Sequence, residues 1–150
     1  HPEGQSGAMA VAVAAAWIAS GGDAPAALFD VVLDHTPDGA TRAGIEQASR
    51  LSLDADVRTA VAALGNGSRV VSEDTVPLCM WQLARALASS YSFEDAMWST
   101  VAGLGDRDTT CAIVGGIYAL RAGVVPPPEW LAARESLDRM SRELLPRSRR

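Results

Sequence analysis

Gly103-Leu-Gly-Asp-Arg-Asp-Thr-Thr-Cys-Ala-Ile-Val-Gly-Gly-Ile-Tyr-Ala-Leu120 joins a glycine turn, a burst of acidic and hydroxyl side chains, and an apolar run without polar alternation. Glycine closes helices, and Ser, Thr or Asp ahead of an apolar run opens them. One helix is therefore expected to end at residues 103–105 and another to start at Asp108 or Thr109. Upstream, Ser92-Phe-Glu-Asp95 opens a helix with Phe93, Met97, Val101 and Leu104 in line. Residues 74–89 place Val76, Met80, Leu83 and Leu87 on one face. Asp54 is expected to cap a segment carrying Val57, Val61 and Leu64, which Gly65-Asn66-Gly67 stops. Residues 41–51 predict a more polar surface helix after the turn at 36–39. Asp23 offers a cap, with Pro25 in the first turn of a helix through Leu28, Val31, Val32 and Leu33. Residues 5–20 are apolar on nearly every side, which predicts a helix in the middle of a bundle. Downstream of Pro126-Pro127-Pro128, Trp130, Ala133, Leu137, Met140 and Leu144 stripe a last amphipathic helix.

Composition supports the same class. Hydrophobic content is 48% with only 5% aromatics, so alanine supplies much of the apolar surface, and alanine favours helix over strand. Arg69-Val70-Val71 is too short to establish a strand. The expectation is an all-α fold, a compact multi-helix bundle in one domain over residues 1–145, with 146–150 as a basic, solvated tail. A net charge of −5 argues against nucleic acid, despite Arg142, Arg147, Arg149 and Arg150 near the C-terminus. The apolar run at 8–19 falls short of the roughly 20 residues that span a bilayer, so no membrane role is expected and a cytoplasmic setting is the default. Cys79 and Cys111 lack metal-ligand spacing and read as buried free thiols. The chain opens at His1, without methionine, and enters an apolar helix almost at once. It reads as the C-terminal part of a longer protein.

Asp106, Asp108 and Thr109 admit two readings. A lone aspartate before an apolar helix is an ordinary N-cap. Three oxygen-bearing side chains around a glycine turn can also converge on a hard cation such as Mg²⁺ or Ca²⁺. In one continuous helix, residues i and i+2 point about 200° apart. Convergence therefore requires Asp106 to lie in the turn, with the other two at the helix start. Free N–H groups at that helix end suit a phosphate or sugar oxygen beside the metal.

Residues 105–117, Gly-Asp-Arg-Asp-Thr-Thr-Cys-Ala-Ile-Val-Gly-Gly-Ile, resemble the C-terminal metal motif of the ADP-ribosylglycohydrolase family, Gly-Gly-Asp-Thr-Asp-Thr ahead of a small-residue helix. The opening His1-Pro2-Glu3-Gly4-Gln5-Ser6-Gly7-Ala8 resembles that family's His-Pro segment. Glu73–Pro77 and Phe93–Ala96 also match family stretches. The resemblance implies a helical, Mg²⁺-dependent hydrolase with two ions in the complete site. It would cleave the glycosidic bond between ADP-ribose, or a related ribosyl group, and an acceptor such as a protein side chain. Asp106, Asp108 and Thr109 would be metal ligands, and His1, Gly105 and Arg107 would lie near substrate. The family's other ligands belong to an N-terminal half that this chain lacks, and that half is an expected partner. Leu104 and Arg107 depart from the motif, replacing its first glycine and the threonine between the aspartates. Arg107 is expected to pair with a carboxylate more readily than to reach a ligand phosphate. The rival reading is a non-catalytic truncated helical module that binds or scaffolds.

The remaining conspicuous residues have simpler expected roles. His35 suits a helix end. Gly115-Gly116 suits a close helix crossing, Glu73 and Asp74 suit caps, and all four tryptophans suit core packing.

Overall fold

The computed structural model describes residues 1–135, which fold into eight α-helices and, among the described residues, no strand. They are α1 (Pro2–Ala19), α2 (Pro25–His35), α3 (Ala40–Arg50), α4 (Val57–Leu64), α5 (Ser72–Ala88), α6 (Phe93–Val101), α7 (Arg107–Tyr118) and α8 (Pro128–Ala133). The last helix ends at Ala133 because Arg134 is extended (ψ 148°). Leu137, Met140 and Leu144 of the expected stripe lie outside the described residues, as do the domain end at 145 and the basic tail.

The hub is α5. It packs against α1, α2, α3, α4, α6 and α7, and 13 of its 17 residues are buried. This corrects the expectation that residues 5–20 occupy the middle. Helix α1 buries only Ser6, Gly7, Ala10, Ala14 and Ile18, which recur every three or four residues along one face, and Met9 on another face is 43% exposed. Alanine-rich composition made α1 look apolar all round. Bulk decides the core instead, because Leu78, Met80, Trp81 and Leu83 bury far more apolar surface per residue than alanine does.

Two features let the other helices close on α5. Pro77 lies inside it, so its ring replaces an N–H that would have met the Glu73 carbonyl. The ring is received by Gly44 of α3, where a β-carbon would stand 2.5 Å from Pro77 Cγ. Buried Gln82 ties α5 to α6: its Nε2 donates to the Ser99 carbonyl at 3.0 Å, and its Oε1 accepts from the Ser99 hydroxyl at 2.8 Å. The Tyr118 hydroxyl of α7 donates toward the carbonyls of Tyr91 and Ala86, at 2.7 and 3.2 Å.

Several caps differ from expectation. Asp56, not Asp54, caps α4 by accepting from the Thr59 amide at 3.0 Å. Asp23 makes no cap; α2 starts after Ala24 with Pro25 in its first turn. Ser92 and Asp95 form a reciprocal capping box on α6. The α3 N-terminus has no cap of its own. Glu3 of α1 supplies one across 37 residues, accepting from the Ala40 amide at 2.9 Å, the Thr41 amide at 2.7 Å and the Thr41 hydroxyl at 2.6 Å.

Gly115 meets Met97 Sδ at the α6–α7 crossing, where an added β-carbon would lie 3.0 Å away; Gly116 faces open space. Trp81 is fully buried, and Trp17 is half-buried over Gly22. Trp98 and Trp130 are not core residues: they are 59% and 36% exposed and meet edge-on, 6.4 Å between centroids, on the α6–α8 surface.

Candidate functional site

Asp106 precedes α7 and is its N-cap, in place of the expected Asp108 or Thr109. Its Oδ1 accepts from the Thr109 amide at 3.2 Å. Asp108 and Thr109 occupy the first turn of that helix and are exposed. This is the arrangement that convergence requires, with Asp106 in the turn and the other two at the helix start. The Thr109 hydroxyl, then the Asp108 side chain and the Thr109 amide, hold the Asp106 carboxyl below the usual carboxylate range. Asp106, Asp108 and Thr109 thus lie within four residues of one another at one end of α7. Thr110, the next residue, is buried and turns its hydroxyl back onto the Asp106 carbonyl at 2.9 Å, which fixes the first turn.

The turn itself is shaped by left-handed backbone at Leu104 (φ 55°) and Gly105 (φ 61°). Gly105 presses on the α4–α5 loop, where an added β-carbon would stand 2.5 Å from the Asn66 carbonyl oxygen. Gly105 therefore acts in the structure through its missing side chain. Arg107 is exposed and, among the described residues, forms no ion pair, so the expected carboxylate partner is absent.

Asp106 and Thr109 border a groove of about 360 Å³ whose walls are Gly7, Ala8 and Val11 of α1, Val70 and Val71, Val76 of α5 and Ile113 of α7. An apolar groove of that size with a few convergent polar groups at its rim is the usual form of a small-molecule site. A second groove, lined by His1, Glu3, Gly4 and Glu73, shares Val70, Val71 and Ser72 with the first. His1 thus stands along the same face as Asp106. Its Nδ1 accepts from the Glu3 amide at 3.3 Å, capping α1.

The other candidates separate from this face. His35 Nδ1 lies 2.9 Å from the Val31 carbonyl at the end of α2, the helix-end role expected of it. Asp74 does not cap α5. Its buried carboxylate accepts from the Arg69 amide at 2.9 Å and braces the preceding loop. Both cysteines are free; Cys79 is buried, whereas Cys111 is only half-buried. Burial, then the Cys111 thiol and the Asp106 carboxylate, raise the Cys79 thiol far above its ordinary value, which disqualifies it as a nucleophile.

Oxygen donors of this kind fit a hard divalent cation and do not fit zinc. Their number falls short, since Mg²⁺ takes about six oxygens and the cluster offers two carboxylates and a hydroxyl. Among the described residues, no group of three or more His, Cys, Asp or Glu side chains is arranged to hold a metal ion. The donor set therefore fits Mg²⁺ in kind and falls short of it in number.

The ADP-ribosylglycohydrolase family model matches residues 1–150. The chain belongs to the ADP-ribosylglycohydrolase family. The all-helical architecture agrees with that membership, and the family makes it a glycohydrolase-type hydrolase at family level. No curated protein and no solved structure matches the chain. Among the described residues, no helix is long and apolar enough to cross a membrane.

Within this glycohydrolase framework, sequence reasoning missed Glu3 and Asn66. Glu3 closes α1 onto α3, and Asn66 touches both ends of the acidic turn. The signal for Asn66 was present in Gly65-Asn66-Gly67, which announces a backbone that others approach closely, but nothing in the order of residues named Asp106 as the neighbour.

Proposed function

We propose that this chain contributes Asp106, Asp108 and Thr109 to a Mg²⁺ site in a hydrolase that cleaves the glycosidic bond between ADP-ribose, or a related ribosyl group, and an acceptor such as a protein side chain. The single observation that carries the reading is that the three oxygen donors share one helix end, two of them, Asp106 and Thr109, at the rim of an apolar groove. Oxygens beyond these three would complete the coordination, and the complete site would hold two ions. The segment that supplies the other ligands is the principal partner of this face. Bound there, Mg²⁺ supplies Lewis acidity and orientation for ribose hydroxyls.

The protein's own groups divide the remaining work. Asp106 is preorganised, because its cap bond to Thr109 fixes the carboxylate before any ligand arrives. Asp108 supplies a second negative charge, which a cation needs at a helix N-terminus because the dipole there is repulsive to it. The same dipole and the exposed Arg107 favour the ligand's phosphates. The groove takes the ribosyl ring against Val11, Val76 and Ile113 and excludes water from that side. Carboxylates beside the anomeric carbon offset the positive charge that builds up as the glycosidic bond breaks. His1 lines the adjoining groove, which supports a substrate-contact role for it.

The test is release of ADP-ribose from a modified arginine or serine peptide by the full-length protein, with and without Mg²⁺. Activity should require the ion, and Asp108→Ala should lower it by about a hundredfold or more, since losing even an outer partner of a metal ligand typically costs about 10–100-fold. Full activity in Asp108→Ala would remove the metal assignment. A full-length protein inactive on every ADP-ribosyl substrate would favour the rival reading, a helical binding module whose acidic turn only caps α7.

A further inference from the structure

We propose that Asn66 is a positioning residue for the metal loop, fixing where Asp106 stands without itself touching metal or substrate. The inference rests on the metal reading above and adds a device outside the motif. Asn66 lies in the α4–α5 loop and grips both ends of the acidic turn. Its side-chain Nδ2 donates to the Gly103 carbonyl at 3.1 Å, and its backbone carbonyl accepts from the Asp106 amide at 3.1 Å. Between those two bonds lie Leu104 and Gly105, both with positive φ. A leucine does not hold that conformation unaided, so the flanking bonds define the turn.

The grip is itself anchored. Asn66 Oδ1 accepts from the Ser68 amide at 3.3 Å and from the Ser68 hydroxyl at 2.7 Å. The Gly67 amide donates to the Asp74 carbonyl at 2.9 Å, and the Asp74 carboxylate accepts from the Arg69 amide at 2.9 Å. Asp74 belongs to the buried hub α5 and is only 7% exposed. A continuous path of hydrogen bonds therefore runs from the core helix through the loop to Asp106. Close approach is built in as well, since a β-carbon on Gly67 would stand 2.8 Å from Asp106 Cβ. Outer partners of this kind orient metal ligands, and losing one typically weakens metal affinity about 10–100-fold.

The experiment uses the full-length protein with Mn²⁺ as the probe, comparing wild type, Asn66→Ala, Asn66→Asp and Gly44→Ala. Two quantities are read: hydrogen–deuterium exchange of residues 103–110 in metal-free protein, and Mn²⁺ affinity by calorimetry. Asn66→Ala should exchange faster across 103–110 and bind Mn²⁺ about tenfold more weakly or worse. Asn66→Asp keeps the acceptor toward Ser68 but faces the Gly103 carbonyl with oxygen, so it should show the same two changes; it carries the test if the alanine variant does not fold. Gly44→Ala disturbs the α3–α5 contact instead and should leave Mn²⁺ affinity unchanged, which separates positioning from general destabilisation. Wild-type Mn²⁺ affinity in both Asn66 variants would overturn the inference. A wild-type protein that binds no Mn²⁺ would instead overturn the metal reading, and this inference with it.

Discussion

Leu104 sits at φ 55°, 63% exposed, in the turn ahead of Gly105 and Asp106. A β-carbon in the left-handed region costs about 1 kcal/mol, and an exposed leucine recovers little of that by packing. Leu104→Gly is therefore expected to stabilise the protein by at most about 0.5 kcal/mol, after allowing for the extra freedom glycine has when unfolded. Thermal unfolding checks this, and a lower midpoint would mean that the leucine makes a contact worth more than its strain. The acidic turn shows what single residues reveal in sequence. Two carboxylates and a hydroxyl ahead of an apolar run announced a helix start with converging oxygens. They did not say which aspartate caps it, because Asp106, Asp108 and Thr109 are all competent N-cap residues. The cap fell to Asp106 once Asn66 held that amide in the turn. On α4 the expected Asp54 makes no cap, and Asp56 two residues on takes that place.

At the scale of helices, the starts at Pro25, after Ser92 and after Pro127 and the stop at Gly65 coincide with the proline, hydroxyl and glycine punctuation, whereas the ranking of the helices does not follow from it. Residues 5–20 looked central because alanine is counted as apolar, yet α5 became the hub because bulky side chains project from it on every side. Period alone does not weigh side-chain volume. The tryptophans fail for a related reason: Trp98 and Trp130 stand in apolar company in the sequence, but they pack on each other at the surface. The α3–α5 contact gives a prediction whose sign is informative. Glycine to alanine in a helix ordinarily gains up to about 1 kcal/mol. At Gly44 the new β-carbon would stand 2.5 Å from the Pro77 ring, and overpacking costs about 1–3 kcal/mol. Gly44→Ala should therefore destabilise the fold in a chemical denaturation series, and a stabilised variant would show that the two helices separate freely.

For the molecule as a whole, Glu3 is the staple that sequence could not disclose, because its partners are 37 and 38 residues away. The Thr41 hydroxyl, then the amides of Thr41 and Ala40, hold its carboxyl below the ordinary value. A depressed carboxylate contributes stability that is complete above its unfolded pKa and is lost as pH falls through its folded pKa. Glu3→Gln should accordingly be less stable than wild type at neutral pH, with the gap closing in acid below the ordinary glutamate range. A gap that stays constant through that range would deny the staple its charge. The groove that joins α1, α5 and α7 carries Asp106 and Thr109 at its rim, and the adjoining groove carries His1. The central claim is that this face holds a divalent cation, and anomalous diffraction from crystals of the full-length protein grown with Mn²⁺ tests it most directly. A peak within coordination distance of Asp106, Asp108 and Thr109 at the start of α7 is the predicted result. Full Mn²⁺ occupancy elsewhere, with no peak at that helix end, would contradict it.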